Sequence, residues 1–275
     1  MEPIDPEALE RLVESVIDGA RYRNVCRDAV IRIGARELKR RKTWKEAEKE
    51  TRNRLHQISG AFLEGRPHYT RWIQDLREAP DEEIYRSELR RIMHAHASTH
   101  ERLSRLETFY STVLETIRPV HSVIDIACGF NPLSLPWMGL AEGASYTGFD
   151  LFSDMAAFTS EAMRCPFSPE IGVQVETCDL VAGPPTIGAD LALVQKFLPI
   201  LQSDGDTKNL DWLRGLRTRH ALITFPTRTL GGRNVGMSGT YAEQFNSILA
   251  ATGWASKRYE LAGELCFLVE LNPST

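Results

Sequence analysis

The sequence of 275 residues predicts an α/β fold, with an all-helical N-terminal part followed by one mostly parallel, seven-stranded sheet. Up to about residue 95, apolar residues recur at helical spacing, whereas after Pro119 short apolar strands alternate with helical stretches. Such alternation is typical of a parallel sheet covered by helices on both faces. The last two strands are separated only by residues 261–263, so they must pair antiparallel. We therefore predict two domains, 1–96 and 97–275.

Helical patterns follow one another along the N-terminal part. Apolar stripes run over 9–16, 25–33 and 69–76. The remaining helix starts are predicted from two capping-box patterns, at 43–46 and 98–101, and from the run Pro80-Asp-Glu-Glu. The apolar positions after the second box predict one helix that reaches Ile117.

The C-terminal part alternates predicted strands with predicted helices. The strands cover 121–127, 145–150, 172–178, 189–195 and 219–225, followed by 255–260 and 264–271. The helices between them are predicted at 153–164, 207–217 and 240–251. Five parallel strands followed by a hairpin form the seven-stranded, Rossmann-like architecture of class I methyltransferases.

A glycine turn after the first predicted strand and an acid at the end of the second mark a candidate nucleoside site. Gly129 lies where the chain must turn sharply, and Asp150 ends the second strand. Glycine lets backbone approach a ligand, and a carboxylate accepts hydrogen bonds from a ribose diol. The absence of Gly-x-Gly-x-x-Gly favours a nucleoside cofactor without phosphates, of which S-adenosylmethionine is the common one. The alternative is an ordinary turn between a strand and a helix.

Composition limits the class of protein. The segment Met1-Glu-Pro-Ile-Asp5 does not resemble a secretory signal, and no apolar run is long enough to span a membrane, so we expect a cytoplasmic protein. Five scattered cysteines without a Cys-x-x-Cys pair indicate reduced thiols. His94, His96 and His100 lack acidic partners at ligand spacing, so we interpret them as surface residues or RNA contacts and expect no metal site.

Positive charge is concentrated near the N-terminus, although the net charge is −4. Residues 19–60 contain thirteen Lys and Arg but only five Asp and Glu. Arg32, Arg36, Lys39 and Arg40 recur at helical spacing, so they can share one face. This excess favours a nucleic-acid contact, with a merely solvated helix face as the alternative.

A series of longer motifs makes a family resemblance specific. The motifs are His100-Glu-Arg-Leu103, Asp125-Ile-Ala-Cys-Gly-Phe-Asn-Pro-Leu133, Tyr146-Thr-Gly-Phe-Asp150, Cys178-Asp-Leu180, Leu193-Val-Gln-Lys-Phe-Leu-Pro199 and Phe225-Pro-Thr-Arg-Thr-Leu-Gly-Gly-Arg233. Together they resemble the aminoglycoside-resistance 16S rRNA methyltransferases that modify N7 of guanine 1405, and the resemblance covers nearly the whole chain. It implies a class I methyltransferase domain with an all-helical N-terminal domain that docks on rRNA.

The resemblance also implies which residues bind S-adenosylmethionine. Asp150 would bind the ribose, Asp179 and Leu180 the adenine, and Arg102 the cofactor carboxylate. The remaining cofactor-binding positions, near the methionine moiety and at the end of the fourth strand, are Ala127, Gly129 and Gln195. For Arg102, the alternative is a surface cation on a capped helix.

The implied substrate is 16S rRNA in the 30S subunit. Gln195 and Lys196 follow the fourth strand, where open α/β sheets carry out their chemistry, and are the candidate catalytic pair. In addition to the basic helix face, the candidate RNA contacts are Lys196, Arg228 and Arg233. Two other functions remain open: a small-molecule methyltransferase with a helical lid, and a non-catalytic RNA-binding module that retains a nucleoside site.

Overall fold

The computed structural model describes residues 4–59, 66–204, 209–227, 237–261 and 263–271. Before the sheet lie α1 (Pro6–Ile17), α2 (Arg27–Arg40), α3 (Trp44–Ser59), α4 (Tyr69–Arg77), α5 (Glu82–Met93), α6 (Ala97–His100) and α7 (Leu106–Val113). Within the described ranges, no helix has the length and apolar character needed to cross a membrane.

The sheet and its helices occupy the rest of the chain. Its strands are β1 (Ser122–Ile126), β2 (Ser145–Asp150), β3 (Gly172–Thr177), β4 (Gly188–Gln195), β5 (Arg217–Pro226), β6 (Ser256–Leu261) and β7 (Glu264–Glu270). The helices between them are α8 (Leu135–Met138), α9 (Ser153–Ala162), α10 (Leu198–Asp204), α11 (Asn209–Arg214) and α12 (Met237–Thr252).

The seven strands form one sheet in the order β3-β2-β1-β4-β5-β7-β6. The first five strands are parallel, and β7 pairs antiparallel with both β5 and β6. The predicted fold class and the terminal hairpin are confirmed. Strand bounds agree with the prediction to within two residues, because buried parallel strands leave continuous apolar runs in a sequence.

Two of the predicted helix starts are confirmed in atomic detail. The Thr43 amide donates to Glu46 Oε2 at 3.2 Å, and the Glu46 amide donates to Thr43 Oγ1 at 3.3 Å. This reciprocal pair is a capping box. Asp81 caps α5 by accepting a hydrogen bond of 2.8 Å from the amide of Ile84.

The second capping box and the continuous helix after it are wrong. Ser98 lies inside α6, and its hydroxyl accepts a hydrogen bond of 3.1 Å from Arg102. The following segment is divided into a 3₁₀ turn at Leu103–Arg105, α7 and a second 3₁₀ turn at Glu115–Ile117. The break turns Arg102 into the protein interior, where only 2% of its surface is exposed.

The helices before the sheet belong to two different cores. The bundle of α1, α2 and α3 encloses its own apolar cluster, which includes Leu12, Ile33 and Leu55. In contrast, Trp72 of α4 and Leu89 of α5 share a cluster with the sheet. The two-domain division at residue 96 remains a proposal, and this packing favours a smaller independent unit of three helices.

Backbone contacts fix this three-helix bundle beside the carboxyl end of β2. The Cys26 amide donates to the Leu151 carbonyl at 2.8 Å, and the Ser153 amide donates to the Asn24 carbonyl at 2.8 Å. These bonds flank an antiparallel bridge between Val25 and Phe152. The bundle is therefore attached directly to the loop that follows Asp150.

Candidate active site

A cavity lies at the carboxyl ends of β1, β2 and β4. Predicted site residues line it from all three strands: Ala127 after β1, Asp150 at the end of β2, and Gln195 and Lys196 at the end of β4. Ile58 of α3 also faces the cavity, so the helical bundle contributes to its wall. This is the crevice in which open α/β sheets bind their ligands.

Asp150 is fixed by backbone amides at the cavity wall. Its Oδ2 accepts from the Gly129 amide at 2.8 Å, while its Oδ1 accepts from the amides of Leu151 at 2.7 Å and Phe152 at 3.3 Å. Burial raises the pKa of Asp150, and these amides act in the opposite direction by stabilising the carboxylate. The geometry thus presents an oriented carboxylate to the cavity.

The turns after β1 and β4 hold three residues at positive φ, a backbone conformation that is unusual for the two that are not glycine. Gly129, Ala127 and Lys196 have φ angles of 52°, 52° and 57°. A Cβ at Gly129 would lie 2.7 Å from the imidazole of His96, so glycine is required by space as well as by conformation. Left-handed non-glycine residues cluster at functional sites, as Ala127 and Lys196 do here.

Arg102 is the centre of a buried polar network. Its Nε donates to Glu264 Oε1 at 2.9 Å, and its Nη1 donates to Asn131 Oδ1 at 2.7 Å, Gln195 Oε1 at 2.8 Å and Tyr110 Oη at 3.1 Å. Although burial disfavours the guanidinium charge, Glu264 raises the pKa of Arg102 above its ordinary value. Its contact with Gln195 places the guanidinium directly behind the cavity.

Lys196 is held by two carboxylates at the cavity edge. Its Nζ lies 3.2 Å from Glu264 Oε1 and also contacts Glu101. Although burial favours the protonated form of Glu264, Arg102 and Lys196 lower the pKa of this carboxyl group. Neither glutamate was predicted as a site residue. Glu264 lies in the terminal hairpin, where nothing in the local pattern connects it with Arg102, and Glu101 was expected only as part of a helix cap.

His96 also differs from its sequence-based interpretation as a surface residue. Its side chain is buried in the cavity wall, and its ring lies 5.2 Å from the ring of Phe130. Burial, with a smaller effect of Arg102 and Lys196, lowers the pKa of His96 to about 3. The imidazole is therefore neutral at physiological pH. The sequence did not identify His96 as a cavity residue, because α5 ends at Met93 and the chain then turns inward.

Asp179 and Arg32, predicted for two different ligands, contact each other. Arg32 Nε lies 2.6 Å from Asp179 Oδ2, and Arg32 Nη2 lies 3.1 Å from Asp179 Oδ1. Leu180 is buried beside this pair, and its carbonyl accepts a hydrogen bond of 2.8 Å from Trp212 Nε1. The ion pair joins α2 to the segment after β3.

The other predicted RNA-binding residues occupy different environments. Arg36 has only 11% of its side chain exposed and lies 3.6 Å from Glu37, whereas Lys39 and Arg40 are exposed at the end of α2. Arg228 and Arg233 lie outside the described residues. No group of His, Cys, Asp and Glu that could hold a metal ion occurs in the described part of the chain.

The strand order, the glycine turn after β1 and the acid at the end of β2 define a class I, S-adenosylmethionine-dependent methyltransferase. Residues 18–268 match the family described as ribosomal RNA methyltransferase (FmrO). The chain belongs to this family.

Individual relatives match over almost their whole length. A 16S rRNA (guanine(1405)-N(7))-methyltransferase of Frankia casuarinae is 35% identical over 269 residues, which are 96% of this chain and 94% of the relative. The enzyme of the same name from Serratia marcescens is 32% identical over 94% of this chain and 96% of its own. The crystal structure of 16S rRNA methyltransferase RmtF in complex with S-adenosyl-L-homocysteine has a TM-score of 0.80 and 31% identity, covering 98% of this chain and 100% of that one.

Proposed function

We propose that this protein transfers the methyl group of S-adenosylmethionine to N7 of guanine 1405 in 16S rRNA and thereby confers aminoglycoside resistance. The observation that carries this proposal is the full-length relationship to enzymes of that named activity, with 35% identity over 96% of the chain. It agrees with a fold whose strand-end acid and glycine turn suit this cofactor. The activity follows from family and site together, since many functions share this fold.

We infer that residues of the cavity wall, together with others next to it, hold S-adenosylmethionine. Asp150 would accept from the ribose hydroxyls, and Asp179 and Leu180 would contact the adenine. Gln195 lines the cavity, and its buried Nε2 forms no hydrogen bond of regular geometry with the described residues, so it can donate to a ligand. Arg102, beside Gln195, would attract the cofactor carboxylate.

The proposed reaction needs no catalytic base from the protein. When bound, the cofactor supplies a methyl group on a positively charged sulfur, and N7 of guanine has a lone pair and no proton. The neutral imidazole of His96 and the carboxylate-paired Lys196 are consistent with a site that orients its ligands and moves no proton. Gln195 and Lys196 would hold the guanine, and the rate would come mainly from alignment.

The proposed substrate is the assembled 30S subunit, so the enzyme would act in the cytoplasm. N7 of a paired guanine faces the deep, narrow major groove of an RNA helix, which side chains cannot enter. The enzyme would therefore extrude its guanine into the cavity. Lys39 and Arg40 are exposed for phosphate contacts, and Arg228 and Arg233 remain candidates for the same role.

A transfer assay with tritiated S-adenosylmethionine tests this proposal. We expect tritium in 16S rRNA of intact 30S subunits, and none in 30S subunits from cells that already express the enzyme, because their target is saturated. Label in a small molecule of a cell extract, but not in 30S subunits, would support a small-molecule methyltransferase. Binding of both cofactor and 30S subunits without transfer would support a non-catalytic RNA-binding module.

A further inference from the structure

Arg32 joins the N-terminal bundle to the edge of the proposed cofactor site. Its Nε and Nη2 contact different oxygens of Asp179, at 2.6 and 3.1 Å. The Asp179 side chain is only 5% exposed, and its Oδ1 also accepts from the Val181 amide at 3.3 Å. An arginine fork on both oxygens fixes the plane of a carboxylate in a way that a single point charge cannot.

A second set of contacts places the same bundle against the neighbouring loop. The segment before α2 bonds to Leu151 and Ser153, which follow Asp150 directly. Ile58 of α3 lines the cavity. The bundle thus contacts the ends of both β2 and β3, which carry the two acids proposed to bind the nucleoside.

We propose that Arg32 is a positioning residue of the cofactor site, and that the α1–α3 bundle forms one of its walls. The guanidinium holds the Asp179 carboxylate in a fixed orientation. A carboxylate lone pair that Arg32 does not use can then accept a hydrogen bond from the exocyclic amine of adenine. This inference rests on the cofactor site of the proposed function, and it gives Arg32 a role different from rRNA binding.

The test compares two ligands that differ at the edge of the base that carries the exocyclic group. Calorimetry measures the affinities of the full chain for S-adenosyl-L-homocysteine and for S-inosyl-L-homocysteine, which has a carbonyl oxygen in place of the amine and a proton on N1. For Arg32→Ala, we expect adenine-ligand affinity to fall about tenfold, the scale of one charged hydrogen bond, and the preference for adenine to shrink by a similar factor. Arg32→Lys should show part of both losses, because the charge remains and the fork is lost.

A double-mutant cycle connects the effect to Asp179. In an Asp179→Ala background, Arg32→Ala should change adenine-ligand affinity less than about twofold, because the carboxylate it positions is absent. Lys45→Ala, which removes an exposed cation from α3 of the same bundle, should leave both affinities unchanged. Thermal unfolding of each variant checks that the protein is folded.

Three results would overturn the proposal. Equal losses for both ligands in the Arg32 variants would assign Arg32 a general structural role. Unchanged ligand affinities with weaker 30S binding would assign it to rRNA contact. An unchanged preference for adenine in Asp179→Ala would remove the adenine contact itself. Transfer of label to 30S subunits by the unaltered enzyme is measured separately, so failure of the proposed methylation would be distinguishable from each of these results.

Discussion

Glu264 lies between Arg102 and Lys196 in the protein interior and contacts both cations through Oε1. Its Oε2 is also buried, and it forms no hydrogen bond of regular geometry with the described residues. Burying charged groups is costly, and removing one partner leaves the others uncompensated. The network therefore fixes two proposed ligand-binding cations in place, and loss of Glu264 would leave the buried Arg102 without its carboxylate partner.

Replacement of Asp150 tests the proposed ribose contact. Asp150→Ala removes a carboxylate that three backbone amides hold at the cavity wall. We expect the free energy of S-adenosylmethionine binding to become less favourable by about 1–3 kcal/mol, as for the loss of a charged hydrogen bond. Calorimetry measures this change, and Glu170→Ala, at an exposed loop position, is the control. Wild-type affinity in the Asp150 variant would remove the ribose assignment.

The buried His96 makes a measurable contribution to acid sensitivity. Because burial lowers its pKa from 6.5 to about 3, only the unfolded chain binds this proton between these pH values. Stability therefore falls as the pH drops below 6.5, by roughly 1.4 kcal/mol per unit once the unfolded group is fully protonated. In His96→Gln, we expect the loss of unfolding free energy between pH 7 and pH 5 to be about 2 kcal/mol smaller.

Denaturant unfolding at several pH values measures this difference. His121→Gln, at an exposed position, should retain the wild-type pH dependence. The buried Asp125, whose pKa burial raises to about 6, titrates in the same range but is present in every protein compared. Identical acid sensitivity of the His96 variant and the wild type would contradict a neutral, buried imidazole.

The sequence identifies cavity residues that directly follow strands, but it misses those that long-range packing brings in. Asp150 and Gly129 could be located because the carboxyl ends of parallel strands share one edge of the sheet. Glu264 could not, because it is 162 residues from Arg102 in the chain. The same holds for Arg32, whose spacing predicts a helical face but not what that face contacts.

At the scale of elements, α2 carries cations in two environments. Arg32 and Arg36 are partly buried, and Arg32 contacts Asp179, whereas Lys39 and Arg40 are exposed near the end of the helix. Helical spacing predicts that all four cations lie on one side of the helix. It does not show where that helix contacts the sheet domain. The exposed pair is therefore the sharper test of rRNA docking.

Removal of this exposed pair should weaken docking without affecting the cofactor. For Lys39→Ala/Arg40→Ala, we expect lower 30S affinity and a salt slope reduced by about one for each phosphate contact that is lost. Binding at several salt concentrations measures the slope. The matched control is Lys257→Ala/Arg258→Ala, an exposed cation pair on β6, at the opposite edge of the sheet from β3. An equal loss in both double variants would indicate a nonspecific charge effect.

Secondary structure was predictable where local pattern determines it. All seven strands and the Thr43 capping box follow from apolar runs and side chains that bond to nearby backbone. The structure of segment 98–117 was not predictable in this way. Its apolar spacing indicates one helix, but the hydrogen bonds of the buried Arg102 interrupt that helix. Local preference there yields to the burial of a charged side chain and its partners.

At the scale of the whole molecule, the proposed methylation should protect a bacterium from particular drugs. A methyl group on N7 adds bulk and positive charge where, as the family resemblance implies, gentamicin- and kanamycin-type aminoglycosides bind. We expect expression in a sensitive strain to raise the minimum inhibitory concentration of both drug types but not of apramycin. Lys196→Ala should reduce this resistance while the protein stays folded. Resistance that includes apramycin would point to the neighbouring adenine as the target.

The position of the methyl group in 16S rRNA decides whether this protein is a guanine 1405 N7-methyltransferase. 16S rRNA is purified from cells that express the enzyme and from cells that express Asp150→Ala, then digested to fragments and analysed by mass spectrometry. We predict one added methyl group, on N7 of guanine 1405, in the first sample and little or none in the second. A methyl group on another nucleotide, or unmodified guanine 1405 in cells that contain the folded enzyme, would rule out the proposed activity.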